Sequence, residues 1–432
     1  MKIAYITTYF PFGLAEAFFE PEVRSLSREI EVVVVPTRPI GREVSYPNLG
    51  AHAHYVAIGD LPTMRRALGE LIRDPLAVAR AFLTVFGPSY ALRSKAVNAA
   101  VFASGLALAA DLRRMGIDHI HANWLTTPGT MALIAAELTG IPLSFTAHQH
   151  DIFYDNLTRH KVATSAFTRV ISARNCQALQ RIVGAEAALR CTVVHLGVEI
   201  PPTITVPPER DRLRIICAAR MCTWKGHRFL LRALKLLKAR GIPFSCDLAG
   251  GGEIRDEVAS LIRTLELGDV VTMLGNVPHA TLLARLQAGD YDVFALASTE
   301  REGEHEGISV ALMESMAAGI PVVSTQTGSL NELVEPDNGY LVPQQDPEAL
   351  AAALTELAGD RDLRLRLGAR AREKVQAHFE TSVTTAELLR LLRGDAAPPF
   401  APISVPTGGA NAIGTRPQQL AAPIDRATSS GE

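Results

Sequence analysis

Cysteine is scarce in this chain: 5 among 432 residues, an odd number with no Cys-x-x-Cys pair. Cys176, Cys191, Cys217, Cys222 and Cys246 read as reduced, packed thiols, which excludes a disulfide framework and points to a cytoplasmic protein. Charge of one sign is lacking too. The formal net charge is −2, so no global field would gather nucleic acid. Long apolar runs are missing: the longest candidate, residues 99–110, is alanine-rich and interrupted by Ser104 and Gly105. It falls short of the roughly 18–20 residues of a spanning helix. The opening Met-Lys-Ile-Ala-Tyr-Ile is too short for a signal-peptide core and reads as a buried first strand.

What is present is a large, apolar, alternating pattern. Hydrophobic residues make up 47% of the chain, ample for two cores. Short Val/Ile-rich runs alternate with helical patterns. Expected strands are 3–7, 32–35, 119–122, 143–146, 170–172 and 192–195, then 213–218, 245–249, 270–274, 293–296 and 322–325. Such alternation predicts an α/β protein with parallel sheets covered on both faces. Pro201, Pro202, Pro207 and Pro208 separate the two series, since proline continues neither a central strand nor a helix.

The expected layout is an N-terminal domain 1–198, a linker 199–211, a C-terminal domain 212–380, a last helix 381–394 and a tail 395–432. Prolines and glycines with little aromatic content make that tail read as disordered. Residues 60–116 form a helical insertion in the first domain, carrying Arg65, Arg66, Arg73, Arg80, Arg93, Lys95, Arg113 and Arg114 against few acids. Two readings stand: a solvated helical cap, or a platform for a membrane surface or lipid acceptor.

The chemistry concentrates in the second half. Glu306 lies in a loop with Gly307, Ile308 and Ser309, and Glu314 follows inside an apolar helical pattern that Ser309 can cap. On a regular helix the two carboxylates are on the order of 10 Å apart along the axis. That exceeds the roughly 5–9.5 Å of a glycosidase pair. It suits two groups gripping opposite ends of one long ligand, with the helix N-terminus between them facing phosphate. A nucleotide sugar has that shape. Alone, the two glutamates would be surface residues.

Arg220 and Lys225-Gly226 follow the strand 213–218, at the edge where open α/β sheets bind ligands. Two cations there can neutralise a leaving diphosphate, or they are solvated loop residues. After the strand 143–146 come His148, His150 and Asp151. A neutral imidazole can meet a sugar hydroxyl, although a lone histidine after a strand is more often structural. Trp124 reads as packing or as a sugar platform. Leu248-Ala-Gly-Gly-Gly252 lacks the spacing of a dinucleotide loop. Gly13 and Glu16 lie in the loop after the first strand.

The string from Glu304 through Glu306 and Glu314 to Thr325 resembles the Glu-x7-Glu motif of the retaining glycosyltransferases of family 4. The segments at Arg220–Gly226 and His148–Asp151 resemble that family's diphosphate clamp and Thr-Ala-His-x-x-Asp stretch. His121-Ala-Asn-Trp124 is similar to its colanic-acid and capsule exopolysaccharide branch. The resemblance implies a GT-B fold of two Rossmann-like domains facing a cleft, with the last helix crossing back to the first domain. It also implies transfer of a sugar, with retention, from a UDP- or GDP-linked donor to a saccharide or lipid-linked acceptor, with no metal or cofactor. Arg220 and Lys225 would hold the diphosphate, Glu306 the donor sugar, Glu314 the ribose, and His148 the sugar from across the cleft. Backbone at Gly307, Ile308, Ser309 and Gly251 would meet donor oxygens, and Gly13 would line the cleft. Glu306, His148, Arg220 and Lys225 would be the catalytic set. The expected location is the cytoplasm, with peripheral contact to the inner face of an anionic membrane. A nucleotide-sugar 2-epimerase and a non-catalytic scaffold of a polysaccharide assembly complex are the other classes.

Overall fold

The computed structural model describes residues 1–395, apart from 14–15, 42–43, 47, 88–91, 155 and 302–304. The expected tail beyond residue 395 and the first residue of the Glu304 string lie outside the described residues.

Two all-parallel sheets organise the chain. The first contains β1 (Lys2–Thr7), β2 (Glu31–Pro36), β3 (His52–Ala53), β4 (His119–Asn123), β5 (Leu143–Ala147), β6 (Thr168–Val170) and β7 (Cys191–Val193). The second contains β8 (Leu213–Ala218), β9 (Phe244–Ala249), β10 (Val271–Gly275), β11 (Val293–Leu296), β12 (Val322–Thr325) and β13 (Gly339–Val342). Their orders are β3-β2-β1-β4-β5-β6-β7 and β10-β9-β8-β11-β12-β13. In both, the strand order reverses beside the first strand, which leaves a crevice at the carboxyl ends of β1 and β4 and of β8 and β11. This is the GT-B arrangement, two Rossmann-like α/β domains.

The central strands are buried along nearly their whole length, because helices cover both faces of each sheet. The two strands absent from the sequence reading, β3 and β13, are both edge strands. β3 has 2 residues, both exposed, so it carries no apolar signal. β6 sits two residues earlier than expected because its pairing with β5 begins at Phe145 and Thr168.

The insertion is three helices: Leu61–Arg73, Pro75–Phe86 and Leu92–Met115. The last corrects the expectation about long apolar runs. Its stretch Ser94–Met115 is long and apolar enough, by length and composition, to cross a membrane. More than half of that stretch is buried inside the protein, with Ala107, Leu108, Ala109 and Leu112 fully enclosed. It packs on Thr127–Thr139 and on Leu61–Arg73, so its apolarity serves a protein core.

The helix Thr381–Leu392 places Leu388, Leu389, Leu391 and Leu392 in one cluster with Ile3, Tyr5, Phe19, Val23 and Leu26 of the first domain. Val198 bonds through both backbone groups at the crossing: its N–H donates to Phe379 O at 2.8 Å, and its O accepts from Thr381 N–H at 3.0 Å. The two domains are thus tied by backbone as well as by apolar contact.

Candidate active site

β8 ends at Ala218, and the chain then turns through Arg220 to a short 3-10 turn, Thr223–Lys225. Gly226 makes that turn possible. It has φ +68°, and a Cβ there would lie 1.7 Å from the carbonyl oxygen of Ala297. Only glycine lets this loop press against the end of β11. Lys225 is carried with it. Its Nζ donates to both oxygens of Glu306 at 2.7 and 2.8 Å, and Ser298 Oγ donates to Glu306 Oε2 at 2.7 Å. The ammonium also lies 4.4 Å from the centre of the Trp224 ring.

Glu306 is buried, 4% exposed, and enters from the loop before the helix Val310–Ala317. That loop is pinned from behind. Ser329 N–H donates to Glu306 O at 3.2 Å, and Gly328 (φ +57°) approaches so closely that a Cβ would sit 1.5 Å from the same oxygen. Gly307 has open space where a side chain would be, Ile308 is packed in the C-terminal core, and Ser309 occupies the N-cap position. Ser309 makes no side-chain cap bond, a correction to the expected capping. Among the described residues, no group accepts from the backbone amides of Gly307, Ile308 or Ser309. Three unclaimed donors at a helix start form an anion-receptive corner.

Glu314, on that helix, accepts from or shares a proton with His279 Nε2 at 2.6 Å. Hydrogen bonding to Glu314 raises the His279 pKa above its ordinary value despite partial burial. Glu314, His279 and the exposed Arg220 line a cleft of about 960 Å³, which Phe18, Glu20, Arg24 and Arg28 close from the first domain. Lys225, Glu306 and His148 do not line it. The structure therefore divides the expected constellation. Arg220 and Glu314 face the cleft, while Lys225 and Glu306 form a closed pair beside it. Gly250, with its carbonyl-side neighbour Gly251, follows β9. Gly250 reaches the cleft wall, and Gly251 uses its carbonyl to accept from Met221 N–H at 2.8 Å. Gly13 has φ +75° and donates its N–H to Ser45 Oγ at 2.9 Å, and it is not among the residues that line the cleft.

His148 follows β5 in the first domain. Its ring stacks on Trp124 with centroids 4.0 Å apart, and Phe19 and Phe18 flank it at 5.6 and 5.8 Å. Burial pushes its pKa down to about 3, with the charge of Arg169 adding to the effect. The imidazole is neutral, and its Nε2 is buried without a partner. Asp151 shapes this loop: its carboxylate accepts from His148 N–H at 2.9 Å and from Leu125 N–H at 2.9 Å. Trp124, at φ +88°, donates Nε1–H to Glu16 Oε1 at 2.7 Å, and Glu16 Oε2 accepts from the amides of Tyr9 and Phe10. Trp124 is thus held as the floor under His148. By contrast, His121 is pinned between Ser144 and Thr146 hydroxyls, and serves the core.

Among the side chains that bridge the two domains, one links the His148 loop to the Glu306 loop. Asn175 donates Nδ2–H to His148 O at 2.8 Å, and its Oδ1 lies 3.2 Å from Nε2 of His305, the neighbour of Glu306. Nothing in the sequence singled out Asn175, Ser298 or His279. Ser298 carried one usable signal, its place just past the end of β11.

Residues 205–374 match the family model of glycosyl transferases group 1. It is 43% identical over 213 residues to WcaL of Escherichia coli K12, a glycosyltransferase whose name places it in colanic acid biosynthesis. That alignment covers 47% of this chain and 51% of WcaL. Identity to the amylovoran biosynthesis glycosyltransferase AmsK of Erwinia amylovora is 35% over 183 residues, 42% of this chain and 44% of AmsK. The chain thus spans about half the length of the curated relatives it matches first. Among solved structures, Anabaena HepE in complex with UDP-glucose superposes with a TM-score of 0.64 at 18% identity, covering 91% of this chain and 100% of HepE. The span that matches the family model contains Arg220, Lys225, Glu306 and Glu314.

Proposed function

We propose that this protein transfers a sugar from a nucleoside-diphosphate sugar to a saccharide or lipid-linked saccharide during assembly of an exopolysaccharide or envelope glycan. The observation that carries this reading is the Lys225–Glu306 pair with three free amides beside a cleft at the carboxyl ends of β8 and β11. A diphosphate entering between Arg220 and the helix Val310–Ala317 meets a cation, a helix dipole and unclaimed N–H groups. It also offers Lys225 a second anion. Glu306, released in part from Lys225, then faces the sugar, and Glu314 with His279 faces the ribose end. Neutral His148 offers its unpartnered Nε2 to a sugar hydroxyl. Among the described residues, no side chain near Glu306 is placed as an evident nucleophile, which favours departure of the diphosphate and attack from the same face, with retention. The names of WcaL and AmsK support the polysaccharide setting, and HepE's bound UDP-glucose supports a uridine-linked donor.

The test is incubation with UDP- and GDP-sugars, with and without saccharide acceptors, followed by proton NMR. Acceptor-dependent release of nucleoside diphosphate with an unchanged anomeric configuration is expected. A new nucleotide sugar formed without acceptor would replace transfer by epimerisation, and inversion would overturn the same-face route.

A further inference from the structure

The helix Ala173–Val183 belongs to the first domain, yet a side chain of the second domain caps its start. The amides of Ala173, Arg174 and Asn175 precede the first intrahelical bond, from Cys176 N–H to Ser172 O at 2.9 Å. Ser172 Oγ accepts from Asn175 N–H at 3.4 Å. The other two amides go to Glu332: Ala173 N–H donates to Oε2 at 2.9 Å and Arg174 N–H to Oε1 at 3.3 Å. The helix dipole favours a carboxylate there, and bonds to a charged acceptor are stronger than neutral ones. His195 Nε2 lies 3.0 Å from the same Oε2, and the Glu332 side chain is 9% exposed. Glu332 does not line the cleft, so a donor that enters there does not meet it.

Glu332 stands at the end of the loop that pins Glu306 from behind, through Ser329 N–H and the close approach of Gly328. The same helix start meets that loop again. Ser329 Oγ donates to Ser172 Oγ at 2.8 Å, and Arg174 donates to Gly328 O at 3.0 Å and to the Glu300 carboxylate at 2.6 and 3.2 Å. The next residue is Asn175, which bonds His148 O and reaches His305 beside Glu306. Four consecutive residues of the first domain therefore connect His148 to the loops that hold Glu306. We propose that Glu332 is a positioning residue: by capping a helix of the first domain from the second, it fixes the register between His148 and Glu306. This rests on the transfer reading above, in which those two groups face one sugar from opposite domains. Arg174 and Glu300 are 47% and 33% exposed, and a pair so open to water holds geometry weakly. The enclosed carboxylate, with two amides and an imidazole on it, sets the spacing. The amides before Val310–Ala317 are left for a ligand, whereas those before Ala173–Val183 are taken by the protein itself.

Amide hydrogen exchange of the full chain, read by mass spectrometry without substrate, tests the link. In Glu332→Ala the segments that contain Ser329 N–H and His148 N–H should exchange faster, although neither amide bonds to Glu332. Acceleration confined to the start of Ala173–Val183 would make Glu332 a local cap and overturn the proposal. Kinetics test the consequence. Glu332→Ala should lower kcat by about 100-fold, the loss that a displacement of about 1 Å causes. Bare UDP, followed by calorimetry, should bind within about twofold of wild type, because Arg220 and Glu314 are both carried by the second domain. Glu332→Gln keeps an acceptor oxygen for Ala173 N–H and should recover most of the lost turnover. Turnover of Glu332→Ala equal to wild type overturns the proposal, and so does a loss of UDP affinity as large as the loss in kcat. Absence of transfer by wild type would overturn the transfer reading itself. The exchange experiment needs no turnover, so it separates that failure from a failure of the link.

Discussion

Replacing Lys225 by alanine should strand a carboxylate inside the protein. Glu306 is 4% exposed, and its charge is met by Lys225 Nζ at 2.7 and 2.8 Å and by one hydroxyl, Ser298 Oγ. Removing one partner of a buried ion pair costs about 3–5 kcal/mol, because the remaining charge keeps its desolvation penalty without compensation. The Lys225 side chain is 13% exposed, so water screens the pair weakly, and the lower end of that range, about 3 kcal/mol, is expected. Glu306→Gln should lose much less, since an amide still accepts from both Lys225 and Ser298. Lys225→Met combined with Glu306→Gln should recover most of the loss of the single lysine variant, giving a coupling of about 2 kcal/mol. Urea unfolding followed by tryptophan emission reads this directly, because Trp224 adjoins the pair. The same pair governs binding. In Glu306→Gln the ammonium is no longer neutralised, so bare nucleoside diphosphate should bind roughly tenfold tighter, the range of one charge-assisted hydrogen bond. Turnover should fall at the same time by about 2–4 kcal/mol of transition-state stabilisation. Lys225→Ala with stability within about 1 kcal/mol of wild type would refute the buried-pair argument. Weaker nucleotide binding by Glu306→Gln, measured by calorimetry, would refute the competition between Glu306 and the diphosphate.

Gly226→Ala places a Cβ 1.7 Å from Ala297 O at φ +68° and should lose at least about 2 kcal/mol together with nucleotide affinity. Gly268→Ala, which meets nothing within 4 Å, should stay within about 0.5 kcal/mol in the same urea titration. Acid should destabilise the fold early. Burial lowers His119 and His227 to about 4 and His148 to about 3, so the unfolded chain takes protons near its ordinary value of about 6.5 that the native chain refuses. Stability is therefore full above that value and falls with decreasing pH, by about 1.4 kcal/mol per unit for each such group. His279, raised by Glu314, acts with the opposite sign: its contribution is full at low pH and lost as pH rises through its native value. Burial lowers His121 and His305 as well, so five groups oppose one, and the urea midpoint should drop between about pH 6.5 and 5; a flat profile would show that these imidazoles are not held neutral.

Much of the fold was readable because parallel strands buried on both faces are short unbroken Val/Ile runs, and helices separate them. β1, β2 and β8 announce themselves in this way, whereas β4 and β5 carry polar residues between their apolar ones. β3 does not, because a two-residue exposed edge strand has no apolar pattern to read. The helix Leu92–Met115 shows the opposite failure: charges at its ends hide a length that only its neighbours explain.

Chemistry followed the same division. Residue types and local spacing alone determined that Arg220 and Lys225 stand at a strand's carboxyl end, that Glu306 precedes a helix start, and that His148 closes β5. Local spacing says nothing about partners that are far apart in the chain. Lys225 and Glu306 are 81 residues apart, and they meet because β8 pairs with β11, Ile215 beside Val293, so that both strands end at one crevice. Arg220 and Lys225 share one turn, yet one faces the cleft and the other the interior, a choice made by Gly226 against Ala297. The hold of Glu16 on Trp124, of Trp124 on His148, and the span of Asn175 from His148 to His305 are likewise tertiary. Strand order and close packing, which no window of neighbouring residues encodes, decided which charges neutralise one another and which remain free for a ligand.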